Sequence, residues 1–472
     1  MSDRVEKDSM GEMRVPDWAL WGASTQRAVE NFPVAKRSIP ADLVHALGAL
    51  KAACARVNLG LGKLDPTLAH AIAAAADEVA EGRHDDHFVV DVYQTGSGTS
   101  SNMNANEVIA NLANRGLGQP IGAKKPVHPN DHVNMGQSSN DTFPTAIHIA
   151  AKIAIARRLR PALERVAHKL AEHARNWDHV VKIGRTHLMD ATPVRMGQVF
   201  AGYATQAQNG LARLDHALAE LQDLAIGGTA VGTGINTHPQ FGSLVAAELS
   251  RRTGLPFREA PNHFEAQAAK DACVQASAAL KTVAVSLSKI ANDIRWLGSG
   301  PRCGLFELLL PETQPGSSIM PGKVNPVICE SVIQVACRVL GNDAVVSLAG
   351  LGGVGSLLEL NVAMPVLADA LMESIHLLAN VCDVFHDKLL QGLEVNADRC
   401  RSLIDQSLMM VTSLAPVLGY DEAAKLAKQA FKEGKTIRQL VTERNLIPAP
   451  RLNELLDPRS MTEPGGEGAA GG

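Results

Sequence analysis

Apolar side chains recur every three or four residues over most of this chain, which is the spacing of helices that bury one face. The pattern is longest between Asn262 and Leu297, where the apolar positions step alternately by four and three residues, as in a heptad repeat. These positions are Ala269, Cys273, Ala276, Leu280, Val283, Leu287, Ile290, Ile294 and Leu297. The pattern predicts one buried helix of roughly 50 Å, at about 1.5 Å per residue.

The same spacing predicts further helices before and after this one. Residues 41–82 are rich in alanine and should form two or three helices. A helix from Thr142 to Ala174 should be kinked or interrupted at Pro161, because proline cannot donate the backbone hydrogen bond of a helix interior. The other predicted helices cover residues 194–224, 328–348, 362–392, 421–434 and 436–444. The predicted fold class is therefore all-α, with a rod-like bundle of long helices at its centre.

The length of the chain and the order of its helices indicate several domains. At 472 residues the chain exceeds one ordinary domain, so two or three are expected. The pattern divides it into a mostly helical N-terminal domain (1–137), a central long-helix domain (138–394) and a small helical C-terminal domain (395–472). Glycine and alanine dominate the last residues, which predicts a disordered tail from about residue 463.

The composition narrows the class of protein. Hydrophobic residues make up 46% of the chain but aromatic residues only 4%. The core must therefore be built mainly from alanine, leucine, valine and isoleucine, which suits closely packed helices. The net charge of −4 gives no general signal for polyanion binding. No run of basic residues interleaved with aromatic residues indicates nucleic acid, so no nucleic-acid partner is expected.

Cysteine usage and the terminal segment bear on the compartment. The seven cysteines are odd in number and none forms a Cys-x-x-Cys pair. This favours reduced thiols in a cytosolic protein and argues against an iron–sulfur cluster. The charged segment from Met1 to Arg14 shows no signal peptide, and we find no apolar run long enough to span a bilayer. The chain is therefore expected to be cytoplasmic, without a membrane partner.

Polar segments interrupt the helices, and the one at residues 316–327 has the most distinctive chemistry. Two serines, one lysine and one asparagine lie within nine residues, among two glycines and two prolines that shape the backbone. A helix should follow from Val327. A serine beside backbone N–H groups could lose its proton, and a lysine with an asparagine could hold a doubly charged carboxylate. The alternative is a plain glycine–proline turn with incidental polar residues.

Three other polar segments have features of binding loops. In residues 94–104, glycines alternate with hydroxyl residues before a helix, which suits contacts with anionic oxygens. Residues 128–141 form a loop in which Asp141 is a candidate helix N-cap. In residues 183–193, His187 lies between Thr186 and a helix expected to start near Pro193. A lone histidine is more often structural than catalytic.

A fourth glycine-rich segment, residues 227–236, could suggest a dinucleotide-binding fingerprint. That fingerprint requires a strand before it and a helix after it within a βαβ unit. The preceding residues, 194–224, have helical spacing instead. We therefore reject a Rossmann-type site here.

The segment at residues 316–327 closely resembles the signature loop of the aspartase/fumarase superfamily, and the chain as a whole is similar to its class II fumarases. The similarity extends from about Trp21 to about Pro448 and includes the segments around residues 97, 139 and 187. It implies a three-domain aspartase/fumarase-like fold whose central helices form the core of a homotetramer. It also implies active sites shared by three subunits, small dicarboxylate substrates, and reversible hydration of fumarate to L-malate in the tricarboxylic acid cycle. No metal and no cofactor are implied.

The resemblance assigns catalytic roles that the required chemistry explains. A base must remove a proton beside a carboxylate, and donors must stabilise the resulting aci-carboxylate. An acid must help hydroxide leave from the opposite face. His187 is the candidate acid, with Glu330 as its carboxylate partner. Ser318 is the preferred base and Ser317 the alternative, because spacing cannot separate them. The candidate catalytic residues are His187, Ser317, Ser318, Lys323, Asn325 and Glu330.

The resemblance also assigns two sets of binding residues. The first set should hold the substrate carboxylates and comprises Ser97, Gly98, Thr99, Ser138, Ser139, Asn140, Thr186, Lys323 and Asn325. The second set matches a secondary anion site of the family and comprises His128, Pro129, Asn130 and Asp131.

Three alternatives to a fumarase remain open on the sequence alone. Aspartate ammonia-lyases share the fold, but they usually carry threonine where this chain has Ser139 and often asparagine where it has His128. A non-enzymatic structural or binding protein on the same fold would be indicated by loss of His187, Ser318 or Lys323, and all three are present. A metal-dependent hydratase is the third alternative, and a chelator would then abolish activity.

Overall fold

The computed structural model describes residues 2–464, and most of them are helical. The helices are α1 (Ala23–Asn31), α2 (Ala41–Gly60), α3 (Pro66–Ala80), α4 (Thr99–Gly116), α5 (Ser139–Ala154), α6 (Arg160–Asn176), α7 (Met196–Glu220), α8 (Phe241–Thr253), α9 (His263–Ala268), α10 (Asp271–Leu297), α11 (Val327–Gly350), α12 (Met364–Lys388), α13 (Ala397–Gln406), α14 (Ala415–Leu418), α15 (Tyr420–Glu433), α16 (Ile437–Glu443) and α17 (Ala449–Leu455). The all-α fold class is therefore confirmed.

Short strands pair two by two between these helices. They are β1 (Asp3–Asp8), β2 (Gly11–Pro16), β3 (Val181–Thr186), β4 (Met189–Arg195), β5 (Asp223–Leu224), β6 (Arg258–Glu259), β7 (Leu308–Leu309), β8 (Ser356–Leu357), β9 (Leu360–Asn361) and β10 (Glu394–Val395). The pairs β1–β2, β3–β4, β7–β10 and β8–β9 are antiparallel, and β5–β6 is parallel.

The chain divides into two compact units. The first unit comprises the residues up to Pro161, Gly210–Val285 and Val335–Asn380. The second comprises Ala162–Asn209, Ser286–Gln334 and the residues from Val381 on. The limits of both units fall inside long helices, so they do not test the division at residues 137 and 394, which stays a prediction. From residue 465 on, the predicted disordered tail lies outside the described residues. Glu463, where the tail was predicted to begin, forms an ion pair with Arg195.

Within the first unit, polar side chains join the long central helices at buried positions. Ser277 on α10 donates to Asp343 on α11 at 2.8 Å. Asn342 on α11 donates to Ser374 on α12 at 3.1 Å. All four side chains are buried, so these bonds are protected from water and fix the register between neighbouring helices.

The predicted helix from Asn262 to Leu297 is broken near its start, which corrects the sequence expectation. Asn262 caps the short helix α9, and α10 begins only at Asp271. The buried Lys270 explains the break, because its ammonium donates to the carbonyl oxygens of Ala266 at 2.8 Å and Gln267 at 3.1 Å. These carbonyls end α9 and would otherwise lack partners. The heptad positions from Cys273 to Leu297 are all buried, as predicted.

The interruption predicted at Pro161 is confirmed one turn earlier. Residues Ile155–Leu159 form a π-helical turn between α5 and α6, and Pro161 is the second residue of α6. A wider turn before the proline accommodates its missing N–H group.

Around His187 the structure has a β-hairpin where the sequence suggested a helix start. Pro193 lies within β4, and the helix α7 begins only at Met196. Proline is acceptable in a two-stranded sheet because both strands have an open edge. The expectation of a helix near Pro193 was therefore wrong.

The glycine-rich segment 227–236 follows the two-residue strand β5 and precedes α8. Strand β5 pairs in parallel with β6, which comes after α8. The segment before the loop is therefore not wholly helical, but the parallel pair has only two residues in each strand. Such a pair is far shorter than the sheet of a dinucleotide-binding unit.

The expectation that no apolar segment is long enough to span a bilayer was wrong for two helices. By length and composition alone, Val327–Gly350 and Met364–Gly392 would suffice. The second is 72% buried within the fold and the first 39%. Core helices of soluble proteins satisfy the same criterion, so this is weak support for a membrane span.

Candidate active site

Two helix N-termini in the first unit meet through side-chain hydroxyls. Thr99 is the first residue of α4 and Ser139 the first residue of α5. The Oγ1 of Thr99 donates to the Oγ of Ser139 at 2.9 Å and lies 2.8 Å from the Oγ of Ser97. Helix N-termini carry unpaired N–H groups and a partial positive charge, so together they form a surface suited to carboxylates.

The backbone at Gly98 explains why this cluster can form. Gly98 is the N-cap of α4 and has a φ of 73°, a conformation that favours glycine. A Cβ atom at this position would lie 2.3 Å from the ring of Phe143 on α5. Glycine therefore permits both the turn and the close approach of α4 to α5.

A capping box orders the start of α5. Ser138, not Asp141, is the N-cap, because its Oγ accepts from the backbone N–H of Asn140 at 3.2 Å. Asp141 is the third helical residue and accepts from the N–H of Ser138 at 2.9 Å. The prediction of Asp141 as the N-cap was therefore wrong: Asp141 is the N3 residue of the capping box whose N-cap is Ser138. Serine and aspartate both favour the N-cap position, so residue type alone did not separate them.

Asp141 also fastens the start of α5 to the glycine-rich loop. Its second carboxylate oxygen accepts from the N–H groups of Gly227 at 3.2 Å and Thr229 at 2.8 Å. The Nδ2 of Asn140 donates to the carbonyl of Ala230 at 2.7 Å. Burial raises the pKa of the Asp141 carboxyl to about 6, although the three N–H bonds oppose this. The loop therefore supports the binding residues and has no nucleotide-binding geometry of its own.

A cavity of about 350 Å³ lies beside these residues, still within the first unit. Its lining includes Ser138, Ser139, Asn102, Thr229 and Asn236. The Oδ1 of Asn102 and the Oγ1 of Thr229 are buried and have no hydrogen-bond partner among the described residues. Unpaired buried polar atoms are unfavourable unless water or a ligand satisfies them.

His187 lies at the tip of the β3–β4 hairpin in the second unit. Thr186 pairs with Met189, so His187 and Leu188 form a two-residue turn. Their φ angles are 57° and 62°, which matches a type I′ turn that normally selects asparagine and glycine. The structure therefore holds two ordinary L-residues in a strained conformation. Leu188 is 64% and Met189 71% exposed, so this tip has an apolar, uncovered surface in one chain.

A buried ion cluster anchors the base of the same hairpin. Glu307 is fully buried and accepts a bidentate contact from Arg185 at 2.9 and 3.0 Å. Lys182 on the same strand lies 3.2 Å from Glu307, and burial lowers the pKa of Lys182. Because Arg185 precedes His187 by two residues, this cluster fixes the strand that carries the histidine.

The loop from Gly316 to Asn325 closes on itself before α11. The N–H of Gly316 donates to the carbonyl of Lys323 at 2.9 Å, and the Nδ2 of Asn325 donates to the carbonyl of Gly316 at 2.5 Å. A Cβ at residue 316 would lie 2.3 Å from that Lys323 oxygen, so only glycine fits. Ile319 at the loop tip is 84% exposed.

The two serines of this loop have different surroundings. The Oγ of Ser317 accepts from the backbone N–H groups of Ile319 at 3.3 Å and Met320 at 3.1 Å. No hydrogen bond to the Ser318 hydroxyl is found among the described residues, and Ser318 is exposed. Only Ser317 therefore has donors that could stabilise an oxyanion.

The remaining predicted catalytic groups lie on exposed segments of the single chain. Lys323 and Glu330 are exposed, and Glu330 lies in the first turn of α11. Among residues 2–464, no hydrogen bond or ion pair connects the side chain of His187 with Glu330, Lys323 or either serine. The structure thus brings together Ser97, Thr99 and Ser139, but it does not bring His187 to its predicted partner.

The predicted secondary anion residues form one compact turn. Residues Pro129–Val133 make a π-helical turn whose cap is His128. The Nδ1 of His128 accepts from the N–H of Asp131 at 3.2 Å and lies 3.2 Å from its carboxylate. Asn130 and Asp131 are exposed.

Comparison with known proteins decides the family. The profile of a family described as Lyase matches residues 11–341, and one described as Fumarase C C-terminus matches residues 410–463. Fumarate hydratase class II of Mycobacterium tuberculosis is 55% identical over 457 residues, which cover 97% of this chain and 94% of that relative. Its counterpart in Neisseria meningitidis is 50% identical over 464 residues, which cover 98% and 100%.

The chain belongs to the class II fumarate hydratases. A solved structure agrees: that of class II fumarase from Schistosoma mansoni matches with a TM-score of 0.94 at 38% identity, covering 98% of this chain and 100% of that one. The family and the aspartase/fumarase-like fold expected from the signature loop are therefore confirmed, and the chain is a lyase.

Some residues that organise the class II fumarate hydratase fold around these loops were missed by sequence reasoning. Glu107 on α4 is buried and accepts from the backbone of Gly22, Ser24 and Thr25 and from the Thr25 hydroxyl, at 2.6 to 3.1 Å. Lys51 on α2 is fully buried beside the loop before α5. The available signal was a charged residue inside a helix pattern, which is alanine-rich around Lys51 and asparagine-rich around Glu107.

Proposed function

We propose that this chain catalyses the reversible, stereospecific hydration of fumarate to L-malate by general acid–base chemistry. The observation that carries the proposal is the match, over nearly its whole length, to relatives named class II fumarate hydratase at 50–55% identity. The proposal places the reaction in the tricarboxylic acid cycle and in the cytoplasm. No metal and no cofactor enter the proposed steps.

The substrate carboxylates are proposed to bind at the joined N-termini of α4 and α5. Thr99, Ser138, Ser139 and Asn140 supply side-chain donors there, and Ser97 and Gly98 complete the turn before α4. This assignment is supported by the hydrogen-bonded hydroxyls and by the two helix dipoles, which favour a dianion. Thr186, Lys323 and Asn325 are proposed to complete the binding site in the assembled enzyme.

We assign the base to Ser317, with Ser318 as the alternative, which reverses the preference from sequence. A serine hydroxyl ionises near neutral pH only if its oxyanion is strongly stabilised. Two backbone N–H groups of the loop donate hydrogen bonds to the Ser317 hydroxyl, which supports this choice. Among the described loop residues, no N–H group donates to the Ser318 hydroxyl. Lys323 and Asn325 are proposed to stabilise the aci-carboxylate that forms when the proton leaves carbon.

His187 is proposed to be the acid that helps hydroxide leave, with Glu330 as the carboxylate that orients it. The strained, exposed turn that presents His187 supports this role, because strain is retained where the surrounding structure and function require it. Since Glu330 makes no hydrogen bond or ion pair with His187 among the described residues of one chain, we propose that the two residues come from different subunits.

The exposed surfaces support a homotetramer with active sites shared by three subunits. Helix α11 and the residue that follows it carry a stripe of small and apolar side chains that are exposed in one chain: Cys337, Leu340, Ala344, Leu348 and Leu351. Leu340 is 42%, Leu348 56% and Leu351 53% exposed. Such a stripe at helical spacing is typical of a helix that packs against a partner helix. The turn at His128, Pro129, Asn130 and Asp131 is proposed to be a secondary anion site.

A direct assay tests the proposed function against its alternatives. The purified protein is given fumarate, L-malate or L-aspartate, and the ultraviolet absorbance of fumarate is followed. We expect turnover with fumarate and malate only, unchanged by a chelator. Turnover of aspartate would identify an ammonia-lyase. Loss of activity with chelator would identify a metal-dependent hydratase, and no turnover with any of the three would support a non-enzymatic protein.

A further inference from the structure

Lys51 is a buried ammonium group that the proposed chemistry does not use. It lies in the middle of α2, with no exposed surface. Its Nζ donates to the Oδ1 of Asn134 and to the Oε1 of Gln137, both at 2.9 Å. Burial lowers the pKa of Lys51 to about 7. The ammonium is therefore desolvated, and its charge is unfavourable there unless hydrogen bonds replace those it would make with water.

The two acceptors of Lys51 belong to the segment that leads directly to the binding residues. Asn134 also accepts from Asn102 at 3.2 Å, and its Nδ2 donates to the carbonyl of Gln137 at 3.1 Å. The Nε2 of Gln137 donates to the carbonyl of Val133 at 3.1 Å. Lys51 thus lies at the centre of a network that holds residues 133–137, and Ser138 follows immediately.

The opposite end of this segment is held by a second buried charge. Asp141 accepts from Ser138, Gly227 and Thr229, as described above. No carboxylate contacts the Lys51 ammonium among the described residues, although its charge and that of Asp141 stabilise each other through space. An apolar side chain would fill the same volume without desolvating a charge. The hydrogen bonds to Asn134 and Gln137 therefore offset the free-energy cost of burying the Lys51 ammonium.

We propose that Lys51 is a positioning residue for substrate binding, which acts by fixing residues 134–137 and thereby the Ser138–Asn140 turn. The proposal rests on the proposed function only in that this turn binds a substrate carboxylate. Lys51 itself contacts no substrate. Its bonds to two loop amides keep the N-terminus of α5 in a single conformation before substrate arrives, so less binding free energy is lost in ordering the loop.

The test is the variant Lys51→Met, which keeps the length and apolar stem of the side chain and removes the ammonium. We expect the KM for fumarate to rise roughly 10- to 100-fold, the range in which small misplacements of a site act, while kcat changes less than about 3-fold. The affinity for succinate, a saturated dicarboxylate that cannot lose water, should fall by a similar factor in calorimetry.

Lys152→Met is the matched control. Lys152 is also buried, lies in the same unit, and donates to a backbone carbonyl, that of Leu218, at 2.8 Å. It is 13 residues along α5 from Ser139, or about 20 Å. Loss of this lysine should lower stability without changing KM or succinate affinity. Equal effects of the two variants on KM would mean that Lys51 has only a structural role, and the proposal would be wrong.

A second variant keeps the test decisive if Lys51→Met does not fold. Gln137→Leu removes one acceptor at a half-buried position and should fold. We expect it to raise KM and to weaken succinate binding by a smaller factor. Where all variants fold, the double variant should raise KM less than the product of the single effects, because the two residues act as one unit. Full additivity, or an unchanged KM in Gln137→Leu, would contradict the proposal.

The succinate measurement separates this proposal from the proposed function. If the wild-type protein binds succinate but does not hydrate fumarate, the function is wrong while the role of Lys51 can still be tested by binding. If the wild-type protein hydrates fumarate and Lys51→Met binds succinate normally, the function holds and the positioning role is wrong.

Discussion

The two groups of candidate site residues are built in opposite ways. The binding residues at α4 and α5 are joined to one another, capped, and supported from behind by Asp141 and Lys51. The reactive groups, His187 and the loop from Gly316 to Asn325, lie on exposed segments with few side-chain contacts of their own. Leu188, Met189 and Ile319 leave apolar surface uncovered beside them.

On the proposed mechanism, this difference separates the binding groups that one chain organises from the reactive groups that other subunits are proposed to complete. Carboxylate binding needs donors at fixed positions, which two helix N-termini and a buried network can provide within one unit. Acid–base groups must also be brought to opposite faces of the substrate. Exposed segments can approach groups on other chains, whereas a buried segment could not. We therefore expect variants of the binding group to alter KM and variants of the reactive group to alter kcat.

The largest effect is expected at the two serines. Ser317→Ala should lower kcat by roughly 10⁴-fold, the upper range for removal of a positioned base, and still bind succinate. Ser318→Ala should keep most of the activity, because its hydroxyl receives no N–H donor in the loop. Steady-state kinetics and calorimetry on both variants measure this. If Ser318→Ala is inactive and Ser317→Ala is active, the two roles are exchanged.

His187→Asn should have the next largest effect, a fall in kcat of roughly 10²- to 10³-fold. Asparagine tolerates the positive φ at this turn, so the hairpin should keep its shape, and circular dichroism should be unchanged. His216→Asn, at an exposed position on α7, is the control and should be fully active. Wild-type turnover in a folded His187→Asn enzyme would remove this residue from the mechanism.

Glu307→Gln should mainly lower stability. It would leave the buried Lys182 and the half-buried Arg185 without their carboxylate, which should reduce the free energy of unfolding by about 3–5 kcal/mol. Denaturant unfolding at fixed protein concentration measures this. Glu422→Gln, which breaks an exposed ion pair with Lys425, should give no resolvable change. Equal stabilities of the Glu307 variant and wild type would mean that the ion cluster does not anchor the His187 hairpin.

Thr99→Val should have the smallest effect, and it tests the binding residues at α4 and α5. It removes the hydroxyl that joins α4 to α5 but keeps the shape of the side chain. The KM for fumarate should rise about 10-fold, as for a lost hydrogen bond to a charged group, with kcat nearly unchanged. A selective fall in kcat would show that binding and reactive groups are not divided as described.

Sequence predicted the helices well because their signal is local. The apolar spacing from Cys273 to Leu297 survives as a buried seam. The start of α5 was predicted within three residues, although Ser138 and not Asp141 is its N-cap. The π-helical turn near Pro161 follows from the missing N–H of proline. Such features depend on residues within one or two turns of each other.

The errors in prediction arise from contacts between residues that are distant in sequence. The hairpin at His187 depends on the pairing of two strands and on Glu307, more than 100 residues away. The break before α10 depends on where the buried Lys270 finds acceptors. The choice between Ser317 and Ser318 was left open by the sequence and stays a proposal, because it depends on backbone N–H directions, which spacing does not reveal. The signature loop itself was identifiable, because its glycines, prolines and polar residues all lie within twelve positions.

The central claim, that each active site is shared between subunits, is tested most directly by mixing variants that are inactive in His187 or in the serine base. Subunits carrying His187→Asn are dissociated, mixed with subunits carrying Ser317→Ala, and reassembled, and subunit exchange is confirmed by mass. If each site takes the two residues from different chains, about one quarter of the sites in equal mixtures regain both wild-type groups. Activity should then return far above that of either parent. Hybrids of confirmed mixed composition that remain inactive would mean that one chain supplies both residues, which would contradict the account.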